Sequence, residues 1–250
     1  MVDLDATQSV SDPAGAGLRP PERTAVFALA LLLPAAALGA ALLRPGGGAL
    51  PPAVAVLVLL LGGAVMLAGM RRSYRHSRFG LANGISLVRL AMVAALAGAL
   101  AAPATVAGAW AFIGVALVTL ALDGIDGWAA RRAGLESAFG ARFDMEVDTA
   151  LALVLALSIW LSGALGPWVV ALGLARPGFV LLAALWPALR APLPPALWRK
   201  AVCVVQIGAL ILLASPLIAP PAATWLAAGV LGLLAVSFAR DILWLARRGG

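Results

Sequence analysis

Eight aspartates occur in this 250-residue chain, and four of them, Asp123, Asp126, Asp144 and Asp148, fall within one stretch of 26 residues. Crowded carboxylates repel one another and are costly to bury at the edge of a bilayer, so such a group calls for a neutralising cation. The spacing is helical. Asp123 and Asp126 are three apart and Asp144 and Asp148 four apart, so each pair shares one face of its helix. Two antiparallel helices would then bring the four carboxylates together. An all-oxygen ligand set suits Mg²⁺ or Mn²⁺, and Mg²⁺ typically binds through carboxylates plus the phosphates of a substrate. Gly127 and Ala130 follow Asp126, and Gly140 precedes Asp144. The wall beside the carboxylates therefore carries little side-chain bulk, and a nucleotide or phosphate could approach the backbone. Arg131, one turn past Gly127, offers a planar fork to a phosphate.

The elements that must position these groups are membrane helices. Hydrophobic residues make up 63% of the chain and charged residues only 12%, well below the ~25% charged of soluble domains. The mean hydropathy is +1.01. Eight apolar blocks, at 24–43, 51–70, 84–102, 104–123, 148–165, 167–189, 201–219 and 222–239, each have about the length that a ~30 Å hydrocarbon core requires. The expected fold is therefore an all-α integral membrane protein of about eight transmembrane helices. Residues 1–22, polar and rich in Gly, Pro and Asp, read as a disordered cytoplasmic tail.

Of the 18 Lys and Arg residues, 15 lie in connections on one side of these spans and only Arg44 lies on the other, with Arg89 and Arg176 inside spans. That asymmetry places both termini and the aspartates in the cytoplasm. The net charge of +7 belongs to this asymmetry, because no basic groove interleaved with aromatics points to nucleic acid. The single cysteine, Cys203, and single histidine, His76, exclude an intrachain disulfide and Cys- or His-cluster metal sites. Cys203 is expected to pack inside a helix and His76 to sit at the interface. Glu146, two residues from both Asp144 and Asp148, should point away from them on a helix.

The whole stretch reads Asp123-x-x-Asp126-Gly127-x-x-Ala130-Arg131, eight residues, then Gly140-x-x-x-Asp144-x-x-x-Asp148. It resembles the complete signature of the CDP-alcohol phosphotransferase (phosphatidyltransferase) family. The resemblance implies a membrane enzyme with a six-helix core, usually a homodimer, that transfers a phosphoalcohol group from a CDP-linked donor to a hydroxyl acceptor and releases CMP. On this chain Asp123, Asp126 and Asp144 would hold metal, expected as two ions. Asp148 would be the general base and a further metal contact, and Gly127, Ala130, Arg131 and Gly140 would line the CDP site. The core would cover 80–250, with 23–79 forming two additional helices and a basic linker. A CDP-diacylglycerol donor, membrane lipids as surroundings and a bacterial inner membrane with a cytoplasmic site complete the expectation.

Three further places resemble the family more weakly. Asn83, Ser86 and Arg89, spaced by threes before and within the third span, are similar to polar positions that shape the nucleotide end in many members. Helix capping, with Arg89 snorkelling to the interface, is the plain alternative. Arg176 resembles an arginine facing the acceptor pocket, with a structural ion pair as its alternative. Lys200 and Gln206 resemble part of an acceptor-binding stretch, but Arg199, Val202, Cys203 and Thr149 depart from it, which leaves the acceptor open. A reading from another class, a divalent cation transporter using the four carboxylates, is disfavoured because no acidic residue lies deeper in any span.

Overall fold

The computed structural model describes residues 18–133, 137–191 and 197–247. Among these, every regular element is helical: α1 (Pro20–Leu43), α2 (Leu50–Ser73), α3 (Leu81–Ala99), α4 (Val106–Ala133), α5 (Ala138–Leu161), α6 (Val170–Leu185), α7 (Leu197–Ala214) and α8 (Ala222–Ala246). Short 3₁₀ turns at Pro167–Val169 and Pro187–Arg190 flank α6. Six segments, in α1, α2, α3, α4, α8 and Pro167–Leu185, are long and apolar enough to cross a bilayer. The chain is an integral membrane protein. The other two helices are less uniformly apolar: α5 carries Arg142, Asp144, Glu146 and Asp148 in its first half, and α7 carries Arg199 and Lys200 in its first turn.

The apolar blocks predict the helices, and the helix ends depart from them for local reasons. Residues 1–17 of the expected tail lie outside the described residues, and helix α1 begins at Pro20, inside the stretch assigned to that tail, where Glu22 closes a capping box on the Arg19 backbone N–H at 3.0 Å. Helix α4 continues past the expected end at 123, and its 28 residues extend about 42 Å at about 1.5 Å each. That exceeds a ~30 Å core, so its last turns carry the motif clear of the apolar region. Helix α5 starts at Ala138 rather than 148 because Ser137 caps it, its Oγ accepting the Gly140 N–H at 2.9 Å. Pro187 stops α6 at Leu185, short of the expected 189. Helix α7 spans 197–214 rather than 201–219, ending ahead of Pro216, and α8 runs on to Ala246 instead of 239.

Helix α3 is the centre of the bundle. It packs on α1, α2, α4 and α5, while α5 also meets α6 and α7, and α7 meets α8. In α3, 61% of the apolar window is buried, against 17–28% for the other five spans. Close packing relies on small residues. A Cβ on Gly98 of α3 would lie 2.4 Å from the Pro51 carbonyl oxygen, and one on Gly173 of α6 would lie 2.7 Å from Leu153 Cα. Arg44, the lone basic residue of its side, is buried between the α1–α2 and α3–α4 turns. Its guanidinium donates to the carbonyls of Leu43 (2.9 Å), Gly108 (3.3 Å) and Ala102 (3.3 Å) and lies over the Phe112 ring. It fastens the two turns together, which gives it a role unrelated to topology.

Candidate active site

Three helices build the site. Asp123 comes from the C-terminal half of α4, and Asp144 and Asp148 stack on one face of α5, as their spacing predicts. One carboxylate oxygen from each of these three lies within 4.8 Å of the others. Asp126, Gly127, Ala130 and Arg131 follow on α4, and their side chains lie outside the described residues.

Arg89 of α3 enters the middle of this group. Its side chain is fully buried, with Nη2 at 3.0 Å from Asp123 Oδ1 and also on Asp148 Oδ1, Nη1 on Asp144 Oδ1, and Nε donating to the Thr119 carbonyl at 3.3 Å. The snorkelling alternative for Arg89 is thereby overturned, because a guanidinium held by three carboxylates and a carbonyl has no reason to reach for water. A planar fork is the side chain that can serve carboxylates on two helices at once. Three carboxylates against one guanidinium still leave two negative charges in a partly enclosed space. The donor set is hard oxygen, and each carboxylate offers two oxygens with about four lone-pair sites. The residues present therefore fit a divalent cation.

The rest of the α3 stripe also faces inward. Asn83 and Ser86 are buried, with Ser86 Oγ donating to the Ala82 carbonyl at 3.1 Å and Asn83 Nδ2 donating to Tyr74 Oη at 3.1 Å and to the Phe79 carbonyl. Asn83 Oδ1 lies 3.7 Å from the point a Cβ on Gly140 would occupy, and Ser137 Oγ lies 3.2 Å from it. A side chain at 140 would crowd this corner. Gly80, just ahead of α3, has φ +78°, which lets the chain turn into the helix at no steric cost.

The family model described as CDP-alcohol phosphatidyltransferase matches residues 79–239, well over half of the chain. The chain belongs to this family. It is accordingly a transferase of the CDP-alcohol type, working on phosphatidyl transfer in phospholipid synthesis. No curated protein and no solved structure matches it.

In this transferase the other positions of weaker resemblance, Arg176, Lys200 and Gln206, lie on α6 and α7. Arg176 of α6 is paired with Glu146 of α5 at 3.1 Å, so Glu146 does point off the Asp144–Asp148 face as expected, and Arg176 has the structural partner its alternative reading requires. Lys200 is exposed near the start of α7. Gln206 donates to the Leu172 carbonyl at 2.6 Å, tying α7 to α6. Cys203, expected inside, is exposed on α7. Its α7 position follows the apolar pattern, but periodicity in a helix that is apolar nearly all round does not say which side meets neighbours. Sequence reasoning passed over Tyr74, whose one signal was being the only tyrosine of the chain, nine residues before Asn83. It also gave Arg89 no carboxylate partners, because spacing fixes a helix face and leaves open what faces it.

Proposed function

We propose that the transferase moves a phosphatidyl group from CDP-diacylglycerol to the hydroxyl of an alcohol acceptor, releasing CMP at the cytoplasmic leaflet of a bacterial inner membrane. The observation that supports this reading is the convergence of Asp123, Asp144 and Asp148 around Arg89 at the motif-bearing ends of α4 and α5. Asp126 joins Asp123, Asp144 and Asp148 in holding two Mg²⁺ or Mn²⁺ ions. Bound there, such ions supply charge neutralisation for a diphosphate and its leaving group.

The chain's own residues do the remainder. Gly127, Ala130 and Gly140 leave room for the CDP moiety to lie against backbone, and Arg131 forks onto a phosphate. Asp148 accepts the proton of the acceptor hydroxyl as its oxygen attacks the phosphorus bearing the lipid. The new P–O bond forms while the P–O bond to CMP breaks, and CMP leaves with the electron pair. Arg89 holds the Asp148 and Asp144 carboxylates in register, so that no reorganisation is needed on attack. Arg176 and Lys200 stand on the acceptor side. The acyl chains of the donor stay among the helices while its head lies at the charged end, which is why an enzyme of this chemistry has its carboxylates at the rim of the apolar region.

The test is CMP release by purified protein from CDP-diacylglycerol against glycerol 3-phosphate, serine, inositol, inositol phosphate and lipid alcohols. Release is expected with Mg²⁺ or Mn²⁺, to stop on chelation, and to fall at least about 10²-fold in Asp148→Asn with CDP binding retained. No CMP from any pair of substrates would defeat the reading. Full turnover in Asp148→Asn would defeat the assignment of the base alone.

A further inference from the structure

Tyr74 stands in the linker between α2 and α3, ahead of residue 79 where the family match begins. It is 1% exposed. Its ring meets Phe139 of α5 edge-on at 5.6 Å and His76 at 5.3 Å. Its backbone is pinned from α1, because the Arg19 guanidinium donates to the carbonyls of Tyr74 (3.1 Å) and Met70 (2.8 Å). The phenol oxygen lies 2.6 Å from the Arg78 carbonyl and 3.0 Å from that of Phe79. A carbonyl can only accept, so the phenol proton is given in this direction. Its lone pairs then face Asn83, whose Nδ2 donates to it. Burial pushes the Tyr74 phenol above its ordinary range, against the opposing effect of the Asn83 amide bond, so the proton stays in place at neutral pH.

The two ends of an asparagine amide are told apart by their partners. The Phe79 carbonyl and the committed phenol oxygen both require the nitrogen, so Oδ1 is turned the other way, toward Gly140 at the first turn of α5. Gly140 is part of the stretch that the proposed function gives to the CDP moiety, and the inference rests on that reading. A cytidine nucleotide carries donors of two kinds, the exocyclic amine of the base and the ribose hydroxyls. We propose that Tyr74 is a positioning residue that locks the Asn83 amide, so that Oδ1 is presented as a hydrogen-bond acceptor to a donor group of the bound cytidine nucleotide. The two N-terminal helices thereby hold one side of the nucleotide site in shape through Arg19 and Tyr74.

Full-length Tyr74→Phe keeps the ring and its packing and removes only the hydroxyl. It is expected to weaken CDP binding and raise the KM for the CDP-linked donor about three- to ten-fold, the scale of one hydrogen bond, with kcat within about twofold and the melting temperature close to wild type. Asn83→Ala should bind CDP more weakly and lose the preference for CDP over UDP if the amine is the donor, or over 2′-deoxy-CDP if the ribose 2′-hydroxyl is. Adding Tyr74→Phe to Asn83→Ala should cost nothing more, because the two act through one contact. Unchanged CDP affinity in Tyr74→Phe overturns the inference, as do losses that add in full or a fall in kcat that tracks melting temperature. Where Tyr74→Phe does not fold, Asn83→Ala carries the test alone: both preferences retained overturns it. Wild-type protein that binds no cytidine nucleotide defeats the nucleotide reading as well, whereas wild type that binds with Tyr74→Phe indifferent defeats only the positioning role.

Discussion

Arg89 is a full positive charge with no exposed surface, and the structure shows what makes that bearable. Its two terminal nitrogens are shared among Asp123, Asp144 and Asp148, and its Nε is satisfied by the Thr119 carbonyl. Breaking a buried ion pair from one side costs about 3–5 kcal/mol because the partner is left uncompensated, and here three partners would be left. Arg89→Ala should therefore lose stability on that scale in metal-free buffer. Mg²⁺ should recover much of the loss, since a divalent cation relieves the same repulsion that the guanidinium relieves. Arg89→Lys should fall between, because an ammonium offers one point of charge where the fork offers two edges. Thermal unfolding in detergent, with and without Mg²⁺, measures all three. An Arg89→Ala protein as stable as wild type without metal would remove Arg89 from this role. From the sequence, the carboxylate spacings are enough to place Asp144 and Asp148 on a common face. The arginine is a different matter: an intramembrane Arg announces only that it must have partners, and the partners lie 34, 55 and 59 residues away on other helices.

At the scale of elements, the apolar blocks are strong enough to reveal every helix, and weak at the ends for a definite reason. Hydropathy registers where the bilayer stops, whereas the helix stops where backbone hydrogen bonding does. Helix α4 outruns its apolar block because Asp126 to Ala133 contain no proline and are mostly Ala and Arg, which are good helix formers, and α5 begins early on the Ser137 cap. Packing between elements is legible only in outline, since abundant Ala and Gly announce close approach without saying where. Gly98 is the tightest such place, with the Pro51 carbonyl of α2 and the methyls of Ala40 and Ala55 around the position of a missing Cβ. Pro51 lies in the first turn of α2, and its oxygen belongs to backbone, so it cannot swing aside as a side chain would. Gly98→Ala should therefore destabilise the chain by about 1–3 kcal/mol, the range of overpacked cores, by prying α2 from α3. Gly84→Ala, whose Cβ would meet nothing within 4 Å, is the control, expected to match or slightly exceed wild type in the helical context. A Gly98→Ala variant as stable as that control would show that α2 yields freely.

For the molecule as a whole, the family match starts at residue 79, which invites treating α1 and α2 as an appendage to a self-sufficient core. The packing argues otherwise. Helix α3 supplies Asn83, Ser86 and Arg89 to the site, and it is the most enclosed span because α1 and α2 cover one side of it and α4 and α5 the other. In a bilayer, lipid tails can replace that cover without hydrophobic penalty, so what α1 and α2 contribute is close packing and polar ties. The packing is tight where Leu29 of α1 fills the space beside Gly63 of α2 and Leu90 of α3 fills that beside Gly62. The polar ties run from Arg19 through Tyr74 to Asn83, so cutting the chain before residue 79 removes the Tyr74 hydrogen-bond partner of the Asn83 amide as well as the cover. A fragment of residues 79–250 should therefore insert but purify poorly dispersed, with CMP release well below that of the full chain. Co-expression of residues 1–78 as a separate piece should restore both, since the interface between α1–α2 and α3 does not depend on the connecting peptide bond. Size-exclusion profiles and CMP release of the fragment, alone and with its complement, decide the matter. A fragment that is monodisperse and fully active by itself would make the first two helices an appendage after all and sever them from the geometry of Asn83.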